Sequence, residues 1–538
     1  VSPKPELTPD ECRKIYASQY DSRNVMEERF WSGQDLVTTS VHSRVMLDPG
    51  HRLSYTEKVL TVAQTTVGNA GITATQEAIY TFFLPEGGAV TALSLWIEGK
   101  EEPGILTAKS KAKEAYTTIV GRERRDPAVV FWQEGNQVRV RVFPVTREMP
   151  RQFKIGVTAP LHIDNQTLVY DNVSFDGPSA LLATERDSVF FEGNGVFSDA
   201  PVFFKNEQSG ALLTFDGVYR HKWSVACAAP PLSRSVFSFD GKTYVVAPWR
   251  EQNETFRPTH IYLDLNAAWT PEDLKMIRSL AHQRTVSVAT PDGFETLTEQ
   301  NATRLLWQAQ RLRFSLFPFY KIDTPEESMV VTKSAGPTPL PSELEGSAFG
   351  DALQKWTGGP LRVFHIGDDN EISAYLRTLR ERRDIFCVSG DFDLLKRYLE
   401  SDSYAKNPEN AHTVALPESR VLIMEKDTVV NGKAPDHLFR LFAYNTVLRE
   451  LHGRAGEEPD DLVRLAEQAY VVTPVTSLVT LETKADYERF DIKPTEGLAS
   501  VGNAWTSGAG AVPEPHEWAL LALLTLGAWL AWRRKFVI

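Results

Sequence analysis

Cysteine is scarce in this sequence: only Cys12, Cys227 and Cys387 are present among 538 residues. An odd number of widely spaced cysteines excludes a disulfide framework and a CxxC metal site. Each is expected to be a small buried apolar side chain, although one pair could be bridged in an oxidising compartment. An excess of positive charge is also lacking, since the net charge is −12. Nucleic-acid binding needs a concentrated positive face, so no nucleic-acid partner is expected.

Catalytic signatures are missing as well. The sequence has no GxSxG nucleophile elbow, and its 11 histidines show no HExxH or paired spacing. His365 is therefore interpreted as a core histidine with a hydrogen-bond partner. We predict no catalytic residue and no cofactor. A membrane-anchored hydrolase with an active site of unrecognised type is the alternative, and a cleft with convergent, strongly perturbed titratable groups would favour it.

The composition is that of a globular protein, with 42% hydrophobic and 24% charged residues. A chain of 538 residues is too long for a single core, so two or three domains are expected. Residues 1–35 contain Thr8-Pro9-Asp10-Glu11 and a short helical pattern, which predicts a capped lead-in helix. No apolar run resembling a signal peptide precedes Pro5, so an export signal is expected upstream of Val1.

A helix followed by a strand is predicted between Ala108 and Gln152. The helix is indicated by apolar residues at helical spacing, which are Ala112, Ala115, Tyr116 and Ile119. Asp126-Pro127 marks the break, because the residue before a proline disfavours helix. Val138, Val140 and Val142 then alternate with polar residues, as in a half-buried strand. The basic run from Arg122 to Arg125 is interpreted as a solvated helix end, with contact to an acidic partner as the alternative.

This stretch and the segment before it, AIYTFFLPEGGAVTALSLWIEGK, resemble the VIT domain, the vault and inter-alpha-trypsin inhibitor module. The matching features are the FxLPEGxxVxxLxxxI pattern, the helix ending AKEAYTTIV, the turn RRDPAVVFW and the strand GNQVRVRVFPV. The resemblance implies a β-sandwich over residues 36–165. Residues 166–258 form short predicted strands between Gly, Asp and Asn turns, which either extend the sandwich or make a second small β domain.

From Thr259 the pattern alternates between buried strands and helices, which predicts a doubly wound α/β domain over residues 259–445. The strands are HIYLDL, RTVSVAT, ESMVVTKS and PLRVFHIGD, and a helix opens at Thr270-Pro271. The order resembles a von Willebrand factor A domain. The later segment LVRLAEQAYVVTPVTSLVTLET, within residues 446–495, is similar to the helix and TPxTS strand that follow the A domain in VIT-containing chains, and this strand is expected to return to the β part.

The A-domain resemblance implies a Mg²⁺ site built on a DxSxS turn and an aspartate after a later strand, with hard oxygen ligands. Here only Asp264 matches, because Asn266 and Ala268 stand where serines are expected and Lys333 stands where the later aspartate is expected. An ammonium at that position repels a cation. The sequence therefore predicts a degenerate site and no bound metal.

The chain end carries a membrane signal. After the linker at residues 496–511, the tail at 512–538 contains Val512-Pro513-Glu514-Pro515, an apolar run from Trp518 to Trp532, and Arg533-Arg534-Lys535. The apolar run is about 22 Å long as a helix, and the basic cluster is expected to keep the C-terminus in the cytoplasm. The order resembles the PEP-CTERM sorting signal, which implies an exosortase-type membrane protease as partner.

The sequence as a whole predicts a multidomain α+β protein with a VIT sandwich, a metal-free A-like α/β domain and a C-terminal transmembrane helix. The expected function is that of a non-enzymatic, exported bacterial surface protein for adhesion, matrix or envelope interaction. It is expected in the inner membrane with its domains outside the cytoplasm, and after sorting at the cell surface or in the matrix. Its expected partners are the exosortase, membrane lipid around the tail helix, and an unidentified surface or matrix protein.

Overall fold

The structure is a computed structural model that describes residues 35–65 and 75–499, with short gaps at 124, 126, 283, 313, 335–337, 429, 431, 455 and 495–496. The predicted lead-in helix and the predicted tail from Val512 to Lys535 lie outside the described residues. Within the described ranges, no helix has both the length and the apolar character needed to cross a membrane.

The described chain is rich in strands and mixes them with helices. The strands of its first part are β1 (Leu36–Asp48), β2 (Leu53–Gln64), β3 (Gln76–Phe83), β4 (Ala89–Ile97), β5 (Lys100–Pro103), β6 (Ile105–Ala108), β7 (Ala128–Gln133), β8 (Gln137–Val145) and β9 (Arg151–Pro160). The strands of its middle part are β10 (His162–Asp164), β11 (Thr167–Asp171), β12 (Ser174–Asp176), β13 (Thr184–Phe191), β14 (Phe197–Asp199), β15 (Lys205–Glu207), β16 (Leu212–Val218), β17 (Ser224–Ala228), β18 (Phe237–Phe239), β19 (Lys242–Pro248) and β20 (Asn253–Thr255).

The remaining strands are β21 (His260–Asp264), β22 (Thr285–Thr290), β23 (Gly293–Thr296), β24 (Ser328–Thr332), β25 (Leu361–Ile366), β26 (Ile385–Gly390), β27 (Ser403–Ala405), β28 (Thr413–Leu416), β29 (Val421–Lys426) and β30 (Thr476–Thr480). The α-helices are α1 (Lys109–Thr118), α2 (Pro271–Ala281), α3 (Glu299–Ala309), α4 (Ala348–Gln354), α5 (Ala374–Glu381), α6 (Phe392–Glu400), α7 (His437–Glu450), α8 (Asp460–Ala469) and α9 (Lys484–Arg489).

The first part of the chain folds into packed β-sheets. An eight-stranded sheet has the order β15-β16-β13-β1-β2-β9-β4-β5, and a six-stranded sheet has the order β12-β3-β8-β7-β30-β6. In β3, alternate residues are buried towards the strand end, while β4, β9 and β30 are buried at nearly every position. Their apolar residues meet in one core that includes Leu60, Tyr80, Phe153 and Leu478. Strands β1 and β2 form an antiparallel hairpin that turns between Asp48 and Leu53. The packing of two sheets face to face makes a sandwich.

Helix α1 matches the periodicity in the sequence, whereas strand β8 alternates between buried and half-buried residues only from Gln137 to Val140. Arg141 and the residues after it are all buried, so the end of this strand is covered on both faces. Ala112, Ala115 and Tyr116 are the buried face of α1, as the helical spacing predicts. A short π-helical turn, Ile119–Glu123, continues the helix. In the basic run that follows, Arg125 donates hydrogen bonds to the carboxylate of Asp486 in α9, at 2.8 and 2.6 Å. The end of this helix therefore contacts acidic groups of the same chain.

The segment at 166–258 contributes to five sheets. Strand β12 lies at one edge of the six-stranded sheet, and β20 pairs with β27. Strands β13, β15 and β16 extend the eight-stranded sheet. A four-stranded sheet, in the order β10-β11-β17-β14, covers that extension through a second apolar cluster that includes Val189, Tyr170 and Cys227. A further sheet, in the order β18-β19-β29-β28, joins this segment to strands from much later in the chain.

The α/β part is a sheet in the order β23-β22-β21-β24-β25-β26, in which every strand except β23 is parallel to its neighbours. Apolar clusters cover both of its faces, one with α2, α3 and α6 and the other with α4 and α5. Thr270 forms the expected capping box at the start of α2. The sheet is therefore doubly wound.

Residues 403–450 do not continue this sheet, although the predicted α/β domain extends to residue 445. Strand β29 pairs with β19 and β28, and α7 packs into the sandwich core through residues such as Leu438 and Val447. Helix α7 is buried on nearly all sides, and a helix that is apolar all round needs to be enclosed by the protein. Strand β30 pairs antiparallel with β6 and β7, so this late segment completes the six-stranded sheet.

Candidate functional site

The residues of the predicted degenerate metal site lie at the carboxyl end of the parallel sheet. Asp264 ends β21 and Thr332 ends β24, between which the strand order reverses, the usual position of a ligand site in such sheets. The Thr332 hydroxyl donates a 2.8 Å hydrogen bond to Asp264 Oδ2. Burial raises the pKa of Asp264, while hydrogen bonds with Ser315 and Thr332 oppose the shift.

The other predicted residues are engaged in contacts among themselves. The Asn266 amide nitrogen donates to the carbonyl oxygen of Lys333 at 2.6 Å, and Asn266 Oδ1 accepts from the Ala268 N–H at 3.0 Å. Lys333 Nζ lies 2.8 Å from Asp273 Oδ2 in the first turn of α2. The structure thus brings Asp264, Asn266, Ala268 and Lys333 together, and the charge of Lys333 is compensated by Asp273.

A larger site lies where the sandwich, the parallel sheet and α7 meet. It is a cavity of about 480 Å³, which is in the range of small-ligand sites. One wall is β26, from Ile385 to Ser389. The opposite walls come from the 405–420 segment, from the β3–β4 turn at Glu86 and Gly87, and from Tyr444 of α7. Several stretches that are distant in the sequence therefore build this cavity.

Strand β26 is an edge strand of its sheet, and no described strand pairs with its outer side. The Leu361 N–H donates to the Asp384 carbonyl, and the Gly367 N–H donates to the Gly390 carbonyl. Asp384, just before β26, and Gly390, its last residue, therefore direct their backbone groups toward β25. Because the direction alternates along a strand, the even-numbered residues between them do the same. The backbone N–H and C=O groups of Cys387 and Ser389 consequently point away from β25, toward the cavity.

An acidic cluster lies at one end of the cavity. Carboxylate oxygens of Glu86, Asp369 and Glu418 lie within 4.8 Å of one another. Arg380 contacts two of them, with Nη2 2.5 Å from Glu86 and Nη1 2.7 Å from Asp369. The imidazole Nδ1 of His162 lies 2.7 Å from Glu418. These three carboxylates could hold a cation, but the Arg380 guanidinium already lies against two of them.

Burial shifts the pKa of other groups that line the cavity. It raises the pKa of Glu381 to about 8, although the backbone N–H groups of Gly135 and Asn136 donate to this carboxylate. It also raises the pKa of Cys387 to about 12. Since the thiolate is the nucleophilic form of cysteine, Cys387 is poorly suited to nucleophilic catalysis. Both Cys387 and Cys227 are free thiols.

Ser389 and His365 form a serine–histidine contact beside the cavity, with 3.4 Å between Ser389 Oγ and His365 Nδ1. His365 is fully buried, as expected for a core histidine. The Ser389 hydroxyl donates to Asp369 Oδ1 at 2.9 Å. In a hydrolytic triad the carboxylate orients the histidine, not the serine. The arrangement of Ser389, His365 and Asp369 therefore differs from that of a triad.

Sequence reasoning missed this cavity because its residues are far apart in the chain. Glu86 belongs to the LPEG turn, which in the sequence is part of a family pattern and indicates no site. Asp369 lies in the Gly367-Asp368-Asp369 turn, which is ordinarily a solvated turn. Arg380 and Glu418 carry no local signal at all. Only the chain fold places Arg380 against Glu86, 294 residues away in the sequence.

The family described as the vault protein inter-alpha-trypsin (VIT) domain matches residues 56–157. Those residues are a VIT domain. The VIT domain runs from β2 to β9, and it lies inside the 36–165 segment in which the sequence predicted it. Glu86 and the β7–β8 turn at Gly135 both belong to it. One side of the candidate site is therefore formed by the VIT domain.

No curated protein matches this chain. Solved structures with some similarity include Legionella pneumophila aminopeptidase A, at 7% identity over 59% of this chain and 31% of that one, with a TM-score of 0.22. Leukotriene A4 hydrolase from Saccharomyces cerevisiae is 8% identical over 58% and 40%, with a TM-score of 0.22. The M1 zinc metallopeptidase of Deinococcus radiodurans is 11% identical over 61% and 65%, with a TM-score of 0.20. This chain spans less than two thirds of each, and these TM-scores support no conclusion about function.

Proposed function

We propose that this chain is a non-enzymatic surface protein that binds an extended polypeptide of its partner in the cavity beside β26. The observation that carries the proposal is the free edge of β26 along the cavity wall. A sheet edge offers a row of backbone donors and acceptors, and an extended peptide that pairs with it adds one more strand. The apolar side chains of Val388 and Leu448 in the cavity wall would cover that peptide.

The charges of the site favour a basic peptide. Glu86, Asp369 and Glu418 bring three carboxylates close together, while Arg380 supplies one guanidinium against them. The local excess of negative charge would attract a lysine or arginine side chain and repel an acidic one. A preference for basic over acidic peptides would distinguish this site from an apolar cavity, which would bind both equally.

The other parts of the chain have roles in this proposal. The doubly wound sheet, with Asp264 and Thr332 at its switch point, supports an interpretation as an A-like domain that acts as a scaffold without metal. In that interpretation the Lys333–Asp273 ion pair replaces the charge of a bound cation. The tail with Val512 to Pro515 and Arg533 to Lys535 is proposed as a PEP-CTERM signal. It would hold the chain in the inner membrane until an exosortase sorts the domains to the cell surface or matrix.

Fluorescence anisotropy with labelled hexapeptides tests the proposed site. A peptide that alternates valine and lysine is expected to bind at least about tenfold more tightly than one that alternates valine and glutamate, because charge complementarity of about 1.4 kcal/mol corresponds to that ratio. N-methylation of alternate backbone nitrogens is expected to abolish binding. Affinity is expected to be equal in Mg²⁺ and in EDTA, since no metal takes part.

Two variants at one position provide the matched control. Ser389→Pro removes a backbone donor that faces the cavity, and an edge strand tolerates proline, so binding is expected to be lost without unfolding. Ser389→Ala keeps that donor and is expected to bind normally. Equal binding of the basic, acidic and N-methylated peptides would contradict the proposal, and loss of binding in EDTA would contradict the metal-free scaffold.

The sorting proposal is tested by processing of the tail. In a host with the exosortase, the wild-type chain is expected to lose its tail, whereas Glu514→Ala or Pro515→Ala is expected to leave it membrane-inserted and unprocessed. The prolines disfavour helix next to the membrane and would leave an extended stretch for the protease. Replacement of Arg533, Arg534 and Lys535 by neutral residues is expected to weaken retention and orientation.

The readout is the size and membrane fraction of each variant, compared between hosts with and without the exosortase. A wild-type chain that keeps its full tail in the presence of the enzyme would show that the tail is a permanent anchor.

Two observations favour the hydrolase alternative. The Ser389–His365 contact is the kind of pair that a serine nucleophile requires, and burial raises the pKa of Glu381 and of Cys387 in the wall of the same cavity. We propose the binding function first, since the Ser389 hydroxyl donates to Asp369 and the raised pKa of Cys387 disfavours a thiolate.

A further inference from the structure

A row of buried polar side chains crosses three strands of the eight-stranded sheet. Ser43 of β1 lies opposite Lys58 of β2 on one side and opposite Asp187 of β13 on the other. Glu185 precedes Asp187 by two residues, so it projects from the same face of β13. All four side chains are more than nine-tenths buried, and Lys58 is 1% exposed.

The row lies within the apolar interior of the protein. Val41 and Leu60, on the same face of β1 and β2, belong to the sandwich core. Val45 and Val189, on the other side of the row, belong to the core beneath the four-stranded sheet. The polar groups are therefore enclosed by apolar side chains on either side along the strands.

These groups are not paired in the ordinary way. Within the described chain, no hydrogen-bond partner is found for Lys58 Nζ. Asp187 has only the side chains of Ser43 and Glu185 as candidate hydrogen-bond partners, and Glu185 Oε2 accepts a 2.7 Å hydrogen bond from the Arg220 N–H while its Oε1 has no partner. An unpaired buried charge is strongly unfavourable, so neutral forms are preferred. Lys154 on the adjacent strand β9 shows the contrast: it is also buried, but it forms ion pairs with Glu57 and Glu101.

The local environment favours the neutral forms. Burial lowers the pKa of Lys58, although the charges of Asp187 and Glu185 oppose this shift. Burial raises the pKa of Asp187, against the opposing charge of Lys58. Burial and the neighbouring Asp187 both raise the pKa of Glu185. A neutral amine, a carboxylic acid and an adjacent proton carrier are the groups that an amide condensation requires.

We propose that Lys58 and Asp187 condense to an isopeptide bond, with Glu185 as the proton carrier. The lone pair of Lys58 Nζ attacks Asp187 Cγ, and a C–N bond forms. Glu185 accepts a proton from the nitrogen and returns it to the departing hydroxyl group, so that one C–O bond breaks and one water molecule leaves. The step needs no oxidant, reductant or other co-reactant. It converts two ionisable groups into one neutral amide.

The strand geometry permits the bond. Lys58 and Asp187 are two strand spacings apart, which is about 10 Å between their Cα atoms. Ser43, which lies between Lys58 and Asp187 in the register, has a short side chain, and an extended lysine side chain is long enough to reach across it toward Asp187. The resulting bond would tie β2 to β13, and so fasten the β13–β16–β15 extension to the VIT domain.

Intact-mass spectrometry of the purified full chain tests the bond directly. The wild-type protein is expected to weigh one water molecule less than its sequence mass. Peptide mapping after proteolysis is expected to find one branched peptide in which Lys58 and Asp187 are joined. The variants Lys58→Arg and Asp187→Ala are each expected to have the full mass of their own sequence. Glu185→Gln is expected to leave most molecules without the bond.

Lys154→Arg is the matched control and is expected to weigh one water molecule less than the mass of its own sequence. A wild-type chain of full sequence mass would overturn the proposal, and this result does not depend on the folding of any variant. A water loss mapped to an unbranched peptide, or a bond between other residues, would overturn it equally.

Discussion

Glu77→Ala is expected to lower the free energy of unfolding by about 3–5 kcal/mol, the usual cost when one partner of a buried ion pair is removed. Glu77 is completely buried on β3, and its carboxylate accepts from Arg141 Nε at 2.8 Å and from Arg141 Nη2 at 3.1 Å. The Tyr116 hydroxyl of α1 donates to the same carboxylate at 2.7 Å. Loss of the carboxylate removes these three hydrogen bonds and the negative charge that Glu77 places against the Arg141 guanidinium in the interior.

This contact joins the helix of the VIT domain to its sheet. The Arg141 guanidinium also lies 5.2 Å from the centre of the Tyr116 ring, so Glu77, Arg141 and Tyr116 form one unit. Urea denaturation followed by tryptophan fluorescence measures the effect. The exposed ion pair of Arg186 and Asp216 provides the control, because Asp216→Ala is expected to cost about 1 kcal/mol or less. Equal effects of Glu77→Ala and Asp216→Ala would contradict this account of the buried pair.

A decrease of stability in acid is the second large effect, and it is expected from His437 at the start of α7. Burial lowers the pKa of His437 to about 4. The imidazole stacks on Tyr55, with ring centres 5.3 Å apart, and its Nδ1 lies 2.9 Å from the Thr158 hydroxyl. In the unfolded chain the pKa of a histidine is about 6.5. The folded state thus resists a protonation that the unfolded state accepts.

The sign of the effect follows from this difference. Between pH 6.5 and 4 the unfolded chain binds a proton that the folded chain does not, so stability falls as the pH falls. The contribution of His437 to the free energy of unfolding is fully present above about pH 6.5, the pKa of the histidine in the unfolded chain, and it is lost below pH 4. A difference of about 2.5 pKa units corresponds to about 3 kcal/mol.

Unfolding free energies measured from pH 7 to pH 4 check this prediction. His437→Asn is expected to be less stable at pH 7 because it fills less of the core, but its stability should depend less on pH. The exposed His221→Gln is expected to retain the wild-type pH dependence. A wild-type slope that is unchanged in His437→Asn would show that His437 does not cause the acid sensitivity.

The sequence by itself determined the elements whose signal is local. The spacing of Ala112, Ala115 and Tyr116 predicted the face of α1, because a helix repeats its buried side every three to four residues. The alternation around Val140 predicted β8 in the same way, since a strand repeats every two residues. The ordered motifs from the LPEG turn to GNQVRVRVFPV located the VIT domain, which the family match at residues 56–157 supports.

Only the tertiary structure decided which distant residues meet. Arg380, Glu86 and Glu418 carry no shared pattern, and they form one cluster because the parallel sheet packs against the VIT domain and the 405–420 segment. The free edge of β26 is likewise a property of strand order, which local periodicity does not encode. Lys58 is an example of both kinds of information. The sequence shows that it lies on the same face of its strand as Leu60 and Val62, because the three residues are spaced by two. Its position beside Asp187 depends on the parallel pairing of β1 with β13, strands separated by more than a hundred residues, and such pairings are set by the packing of whole sheets.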